Sequence, residues 1–555
     1  MNKIKILIAR NFTVEPLIDE IQDKLKRKNI KAQFMFSGYE DSVSEFLNQK
    51  SKFYKFKPDL ILIFFILDTF LGNKSENFNN KKFIKKSFMD NINTIVSKVK
   101  ENIQSNIGIF SLIDPIEIEN NKFKDLKKSI NKSLEKVCNK NKLCNFLNYE
   151  NVISKNQKII FNKKHWKSSL YPFEYNQALN ISNFIFKFIS ALNGKSHKLI
   201  ILDADNTLWS GIIGEDGINN IQVGNSGKGK YFKFFQKKLK KLKDTGIVLS
   251  MCSKNNINDV KNVFKQRSKD MPLKFKDFTK VKANWNQKSE NIKIILNDLN
   301  LSEDNALFVD DSEFEIGQVK NFFSNLDTLL VPKDIKKFEK LFDKVGNFEN
   351  FSVTKEDKKR TKLYQDEEKR KTEITKFKNP EDYIRSLNIN LLIKNNNKKN
   401  IKRLSQMTLK TNQFNTTTLR LNESKIESFI NNKNYLVSQC SAEDKFGDYG
   451  IIGLAIIKIN KNNKKAVVEN TLFSCRALGR MIEEHFYQKI FNDLKLKKIR
   501  TIEFPFTLSN KNKPALNFFN DHSFKKLKKN NQKFVFIAEM NKIKLVNKNN
   551  IVKYI

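Results

Sequence analysis

A chain of 555 residues is long enough for roughly three to four domains and for several buried cores. It carries 103 Lys and Arg against 60 Asp and Glu, a formal net charge of +43. A basic surface concentrates phosphate ligands, but here the lysines run through the whole chain, and stretches such as Lys237 to Lys243 read as solvated helix faces. Together with the joint abundance of Lys, Asn, Ile and Phe, this argues against nucleic acid as the partner and leaves acidic proteins as the partners such a surface would attract.

The five cysteines (Cys138, Cys144, Cys252, Cys440, Cys475) are odd in number and lack metal-ligand spacing, so free thiols in a reducing cytoplasm are expected. The start, MNKIKILIARNF, has no cleavage pattern. The most apolar run, Leu60 to Leu67, is too short to span a bilayer and reads as a buried parallel strand.

In chain order, residues 1–195 alternate apolar runs with helical patterns, as in βαβ units. Strands are predicted at Ile4–Ala9, Leu60–Leu67 and Ile107–Ile113, with a boundary at the Asn193-Gly194 turn. A second α/β unit, residues 196–350, should place strands at Leu199–Asp203, Ile247–Cys252 and Ala306–Asp310, each ending in polar residues, where ligands bind in an open parallel sheet. Residues 351–555 begin with a charged stretch, Ser352 to Asn379, read as a solvated helix or linker. Strands at Gly450–Ile459, Ala466–Leu472 and Phe534–Glu539 and a helix at Met481–Leu494 follow.

The chemistry gathers in the second unit. Asp203 ends an apolar strand and Asp205 follows at spacing two. One carboxylate can accept a phosphoryl group, and the second can protonate the leaving oxygen and then activate water. Alone, such a pair is a weak signal whose plain reading is a turn or cap. Three further signals follow in order. Ser253 ends the next strand and can bond phosphate oxygens. Lys288 can neutralise charge at a helix start. Asp310 and Asp311 offer hard oxygen ligands to magnesium. This order resembles the four motifs of the haloacid dehalogenase superfamily. The gaps between them leave no room for a large cap domain, which suits a bulky or protein-tethered substrate, with neighbouring domains excluding water.

The detail is closer still. DADNTLWSGIIGEDG (Asp203 to Gly217), MCSKNN (Met251 to Asn256), NWNQKSENI (Asn284 to Ile292) and FVDDSEFE (Phe308 to Glu315) resemble the FkbH-like proteins, subfamily IIIC of that superfamily. TLKTNQFNTTTLR (Thr408 to Arg420), DKFGDYGIIG (Asp444 to Gly453), FSCRALGRMIEE (Phe473 to Glu484) and TLSNKNKPALNFF (Thr507 to Phe519) are similar to that family's acetyltransferase-like C-terminal domain. NFTVEP (Asn11 to Pro16) and FYKFKPDLILI (Phe53 to Ile63) are similar to its SGNH-hydrolase-like N-terminal domain.

The resemblance implies a cytoplasmic three-domain α/β chain: SGNH-like, a Rossmann-like haloacid dehalogenase core, and a GNAT-like α+β domain. It implies a magnesium-dependent enzyme that transfers a glyceryl or related hydroxyacyl group from 1,3-bisphosphoglycerate to the phosphopantetheine of an acyl-carrier protein, with dephosphorylation. Asp203 would be the nucleophile and Asp205 the acid and base. Thr207, Ser253, Lys254, Asn255 and Lys288 would hold phosphate, and Asp203, Asp205, Asp310 and Asp311 the metal. The family often has Pro and Arg after the acidic pair, where this chain has Glu313 and Ile316. The alternatives are a plain phosphatase of surface-polysaccharide biosynthesis and a non-catalytic basic scaffold binding carriers or nucleic acid.

Other candidates carry two readings. Cys475 is either an acyl-accepting thiol activated by Arg476 and a helix start or a small hydrophobe at a strand end. Arg476, Gly479 and Arg480 are similar to the pyrophosphate loop of acetyl-CoA-dependent transferases, although Met481 stands where a small residue is wanted; a pantetheine arm is the expected occupant. Cys252 is a rival thiol more suited to its strand's core face. Asn11 and Thr13 occupy the place of the SGNH nucleophile block, with a scaffold or carrier-docking role preferred. His165 and His485 are weaker candidates for a histidine base.

Overall fold

The computed structural model describes all residues except 1, 41, 73–79, 115, 117–122, 142, 151, 153–160, 343–347, 349–355, 357–358, 412, 510, 523, 529, 531 and 547–550. The beginning of the charged stretch, at Ser352, lies outside the described residues. The chain forms two compact units. One is residues 1–193 with 422–425; the other is residues 194–421 with 426–555.

The first unit is built on a parallel sheet of β1 (Asn2–Arg10), β2 (Ile30–Phe36), β3 (Leu60–Phe64), β4 (Asn106–Phe110) and β5 (Cys144–Leu147), in the order β2-β1-β3-β4-β5. The apolar run at Leu60 is shorter as a strand than expected. It ends at Phe64, and Leu67 already opens a helix, Leu67–Gly72. Hydrophobicity marked burial across that turn, not a continuous strand.

The second unit holds two sheets. The first comprises β6 (Leu199–Leu202), β7 (Val248–Ser253), β8 (Phe278–Ala283), β9 (Ala306–Asp310) and β10 (Asp327–Leu330), all parallel, in the order β10-β9-β6-β7-β8. Alternate β6 side chains enter different cores: Ile200 and Leu202 on one face, Leu199 and Ile201 on the other. Burying each is worth about 1.5–3 kcal/mol, so this strand is pinned in register. The chain order reverses between β6 and β9, the switch point at which open α/β sheets bind ligands beyond the carboxyl ends of their strands.

The other sheet is mixed, as in an α+β domain. It is formed by β11 (Asn390–Asn395), β12 (Phe414–Asn415), β13 (Tyr435–Asp444), β14 (Gly447–Asn460), β15 (Lys465–Phe473), β16 (Thr501–Thr507), β17 (Lys525–Lys528), β18 (Lys533–Glu539) and β19 (Lys553–Tyr554). Parallel β15 and β16 pair only from Lys465 to Val467. Beyond that the short β12 pairs with β15, and Thr507 N–H donates to the Thr416 carbonyl at 2.7 Å.

The charged stretch forms a helix, Arg360–Ile374, but it is not simply solvated as expected. Leu363, Tyr364, Asp366 and Arg370 are buried. Arg370 is 1% exposed and makes a two-pronged contact with Asp444, at 2.8 Å for each nitrogen. On the other side Lys280 of β8 meets Glu368 at 2.7 Å. The helix therefore fastens the two sheets of this unit together. Among the described residues no helix is long and apolar enough to cross a membrane.

Candidate active site

The parallel sheet of the second unit delivers the sequence-singled residues to one edge. Asp203 directly follows β6, Ser253 ends β7, Asp310 ends β9, and Lys288 opens the helix Lys288–Asp298. Asp203, Ser253, Lys288 and Asp310 are all buried. Lys288 Nζ lies 2.8 Å from Asp203 Oδ1 and 2.7 Å from Asp310 Oδ2. Burial alone would push the Lys288 ammonium toward its neutral form, but the carboxylates of Asp203 and Asp310 outweigh it and raise its pKa above the usual range.

Asp203, Asp310 and Asp311 bring carboxylate oxygens within 4.8 Å of one another. Burial, reinforced by the charge of Asp203, lifts Asp310 to about 7 and also raises Asp311. Three carboxylates against one ammonium leave negative charge that a divalent cation would neutralise, and oxygen donors of this kind suit magnesium. The residues present therefore fit that ion.

Asp205 points elsewhere. Its Oδ1 accepts from the Trp209 indole N–H at 2.8 Å and the Ile213 N–H at 3.3 Å, and its Oδ2 accepts from Asn255 at 2.9 Å. Its side chain is thus outside the converging carboxylates, and the expected fourth metal carboxylate is not brought to them. Burial still raises its pKa, against the pull of those donors, which suits a group that must hold a proton. Asn255 also donates to Ser253 Oγ at 3.0 Å, tying the ends of β6 and β7. Thr207 is buried, and its hydroxyl has no hydrogen-bond partner among the described residues. Lys254 is engaged by buried Glu315 at 2.6 Å.

Trp209 orients Asp205 and Glu315 holds Lys254, roles that no local pattern marks in the sequence. Trp285 and Phe314 are 75% and 66% exposed, each three positions from a site residue. An aromatic between two asparagines in a loop was the available signal for Trp285.

No family model matches the chain. No curated protein is similar to it either. Among solved structures it is similar to the N-terminal part of a Bacteroides fragilis protein containing a phosphatase domain, complexed with Mg. That likeness covers 63% of this chain and 95% of the other, with 26% identity and a TM-score of 0.58. The Escherichia coli ribosomal-protein-S18-alanine N-acetyltransferase matches 29% of this chain and 97% of its own, with 12% identity and a TM-score of 0.22. A Vibrio cholerae spermidine/spermine N-acetyltransferase matches 27% and 95%, with 11% identity and a TM-score of 0.22.

The remaining candidates are not among the converging carboxylates. Cys252 is buried, which raises its thiol pKa, and its thiol donates to the Lys288 carbonyl at 3.7 Å. Cys475 is half-buried, whereas the other four cysteines are buried, and all five are unpaired. Arg480 pairs with Glu367 at 2.5 Å, and Arg476 lines a cavity. Gly479 has φ +75° with open space beside it. Met481 adopts φ 59° to cap the helix Ile482–Leu496. His485 in that helix faces Tyr554 at 3.2 Å. In the first unit, both polar ends of the Asn11 side chain are taken by the Ile66 backbone at 2.9 Å, a scaffold role. Thr13 meets Tyr39 at 3.0 Å, and His165 is exposed.

Proposed function

We propose that the chain is a magnesium-dependent phosphoryl-transfer enzyme of the haloacid dehalogenase type, with the three-part division 1–195, 196–350 and 351–555. One observation carries the reading. Buried Lys288 bridges Asp203 and Asp310 at the switch point of the parallel sheet, beside Asp311. The magnesium bound to the phosphatase domain of the Bacteroides fragilis protein agrees with it.

Asp203 attacks phosphorus through a carboxylate oxygen, forming the aspartyl-phosphate bond as the ester oxygen departs. Asp205 gives that oxygen its proton, then takes one from the water that cleaves the acyl phosphate and restores Asp203. Lys288 fixes Asp203 in place and balances the charge of the transferred group. Magnesium, when bound by Asp203, Asp310 and Asp311, supplies electrophilic assistance to the phosphoryl oxygens.

The finer reading rests on the motif resemblance. The substrate would be the phosphate of a hydroxyacyl group on its way to an acyl-carrier protein, with Cys475 as the intermediate thiol, and exposed Trp285 and Phe314 suit contact with a large partner. A plain phosphatase is the second reading, favoured by a carboxylate centre that is complete without Cys475. Intact-protein mass spectrometry with 1,3-bisphosphoglycerate, magnesium and a pantetheinylated carrier separates them. A glyceryl adduct on the carrier supports transfer. Phosphate release without adduct leaves the phosphatase.

A further inference from the structure

Two aromatic side chains stand uncovered at the mouth of the carboxylate centre. The helices Lys288–Asp298 and Glu313–Phe322 follow β8 and β9, and both begin at the carboxyl edge of the parallel sheet. They pack together on one face of it, with Ile292 and Ile295 in the same core as Ile316 and Val319. Helices packed side by side run about 8–10 Å apart. Trp285, just before the first helix, and Phe314, in the first turn of the second, therefore share one lip of the mouth.

Both rings are held in place from below. The side chains of Asn284 and buried Asn291 exchange amide hydrogen bonds at 2.8 and 3.4 Å, and the Asn284 N–H donates to the Ser253 carbonyl at 3.2 Å. Beneath Phe314, Ser312 accepts from the Glu315 N–H at 3.3 Å and donates its own N–H to Asp310 Oδ1 at 2.9 Å. The support of each ring is thus tied to a residue of the centre, Ser253 or Asp310, while the rings themselves stay in water. Apolar surface kept exposed and pre-organised beside a reaction centre is a ready contact for the part of a substrate that leaves.

The neighbouring charges narrow the choice. Lys254 is already paired with Glu315 at 2.6 Å, and Glu313, next to Phe314, is exposed. A second anionic group on the substrate would meet the Glu313 carboxylate, whereas an uncharged chain gains with each methylene it lays on the rings.

We infer that Trp285 and Phe314 are specificity residues of the carboxylate centre, which select phosphate monoesters whose leaving group is an extended, uncharged apolar chain. This rests on the phosphatase reading and supplies its substrate class.

Ethyl and n-hexyl phosphate test it, because their leaving alcohols are nearly equal in acidity and differ in length. In the full chain with magnesium, kcat/KM should be at least about tenfold higher for the hexyl ester, and the gap should shrink to about twofold when Trp285→Ala and Phe314→Ala are combined. Both positions are exposed, so the fold should survive, and a thermal melt checks it. Non-hydrolysable n-hexylphosphonate gives a second readout. Trp166 and Trp209 are 4% and 0% exposed, so acrylamide quenching reports Trp285. The phosphonate with magnesium should shield it, inorganic phosphate should not, and Trp285→Phe should remove the shielded signal. Equal kcat/KM for the two esters would overturn the lip and leave the phosphatase. So would a preference that survives in the double variant, or quenching unchanged by the phosphonate. Turnover of neither ester would remove the phosphatase reading, and the lip with it.

Discussion

Lys288 donates to Asp310 at 2.7 Å while Asp310 is wholly buried. Removing the Lys288 ammonium would leave both Asp203 and Asp310 buried without that cation. Lys288→Met should therefore lower phosphate release by about 10²–10³-fold and also lower the melting temperature. Turnover of p-nitrophenyl phosphate and a thermal melt of the same preparation check both effects.

Asp203→Asn should reduce phosphate release by at least about 10³-fold, because loss of a nucleophile removes the covalent route. Metal chelation should do the same to the parent protein, with recovery on adding magnesium. Wild-type rates in Asp203→Asn would remove the phosphatase reading altogether.

Asp205→Asn should cost about 10²–10⁴-fold, and the loss should depend on the leaving group. Alkyl phosphates, which need a proton from the acid, should suffer more than p-nitrophenyl phosphate. Trp209→Phe, which deletes the indole donor to Asp205, should reproduce part of that dependence.

Either Arg370→Ala or Asp444→Ala should destabilise the chain by about 3–5 kcal/mol, since each breaks a buried ion pair. The double variant should cost less than the sum, a departure that a denaturation cycle reads directly.

Asp203, Ser253 and Asp310 were legible in the sequence because each sits where an apolar run stops, and strand ends are fixed by local pattern. Lys288, which opens a helix, was legible from its place in the order of the four signals. Asp205 was legible as a residue but not in its direction, since its side chain is engaged by Trp209 and Asn255 rather than grouped with Asp203, Asp310 and Asp311. The cavity that Arg476 lines was hidden for a different reason. Lys198, Tyr364 and Cys475, which also line it, come from three separate stretches, and each looks ordinary in its own window. Arg370 was misread as solvated because charge predicts exposure unless a partner is known, and its partner, Asp444, lies on a strand of the other sheet.

The pairing of Arg370 with Asp444 also bears on how a ligand would enter. Because the helix Arg360–Ile374 fastens both sheets, swinging them apart to admit a guest would break a buried charge pair. The cavity that Arg476 lines is thus pre-organised, and anything it admits would not have to supply the energy of closing it. Entry should accordingly proceed in a single step, without the slow phase that follows a hinge motion.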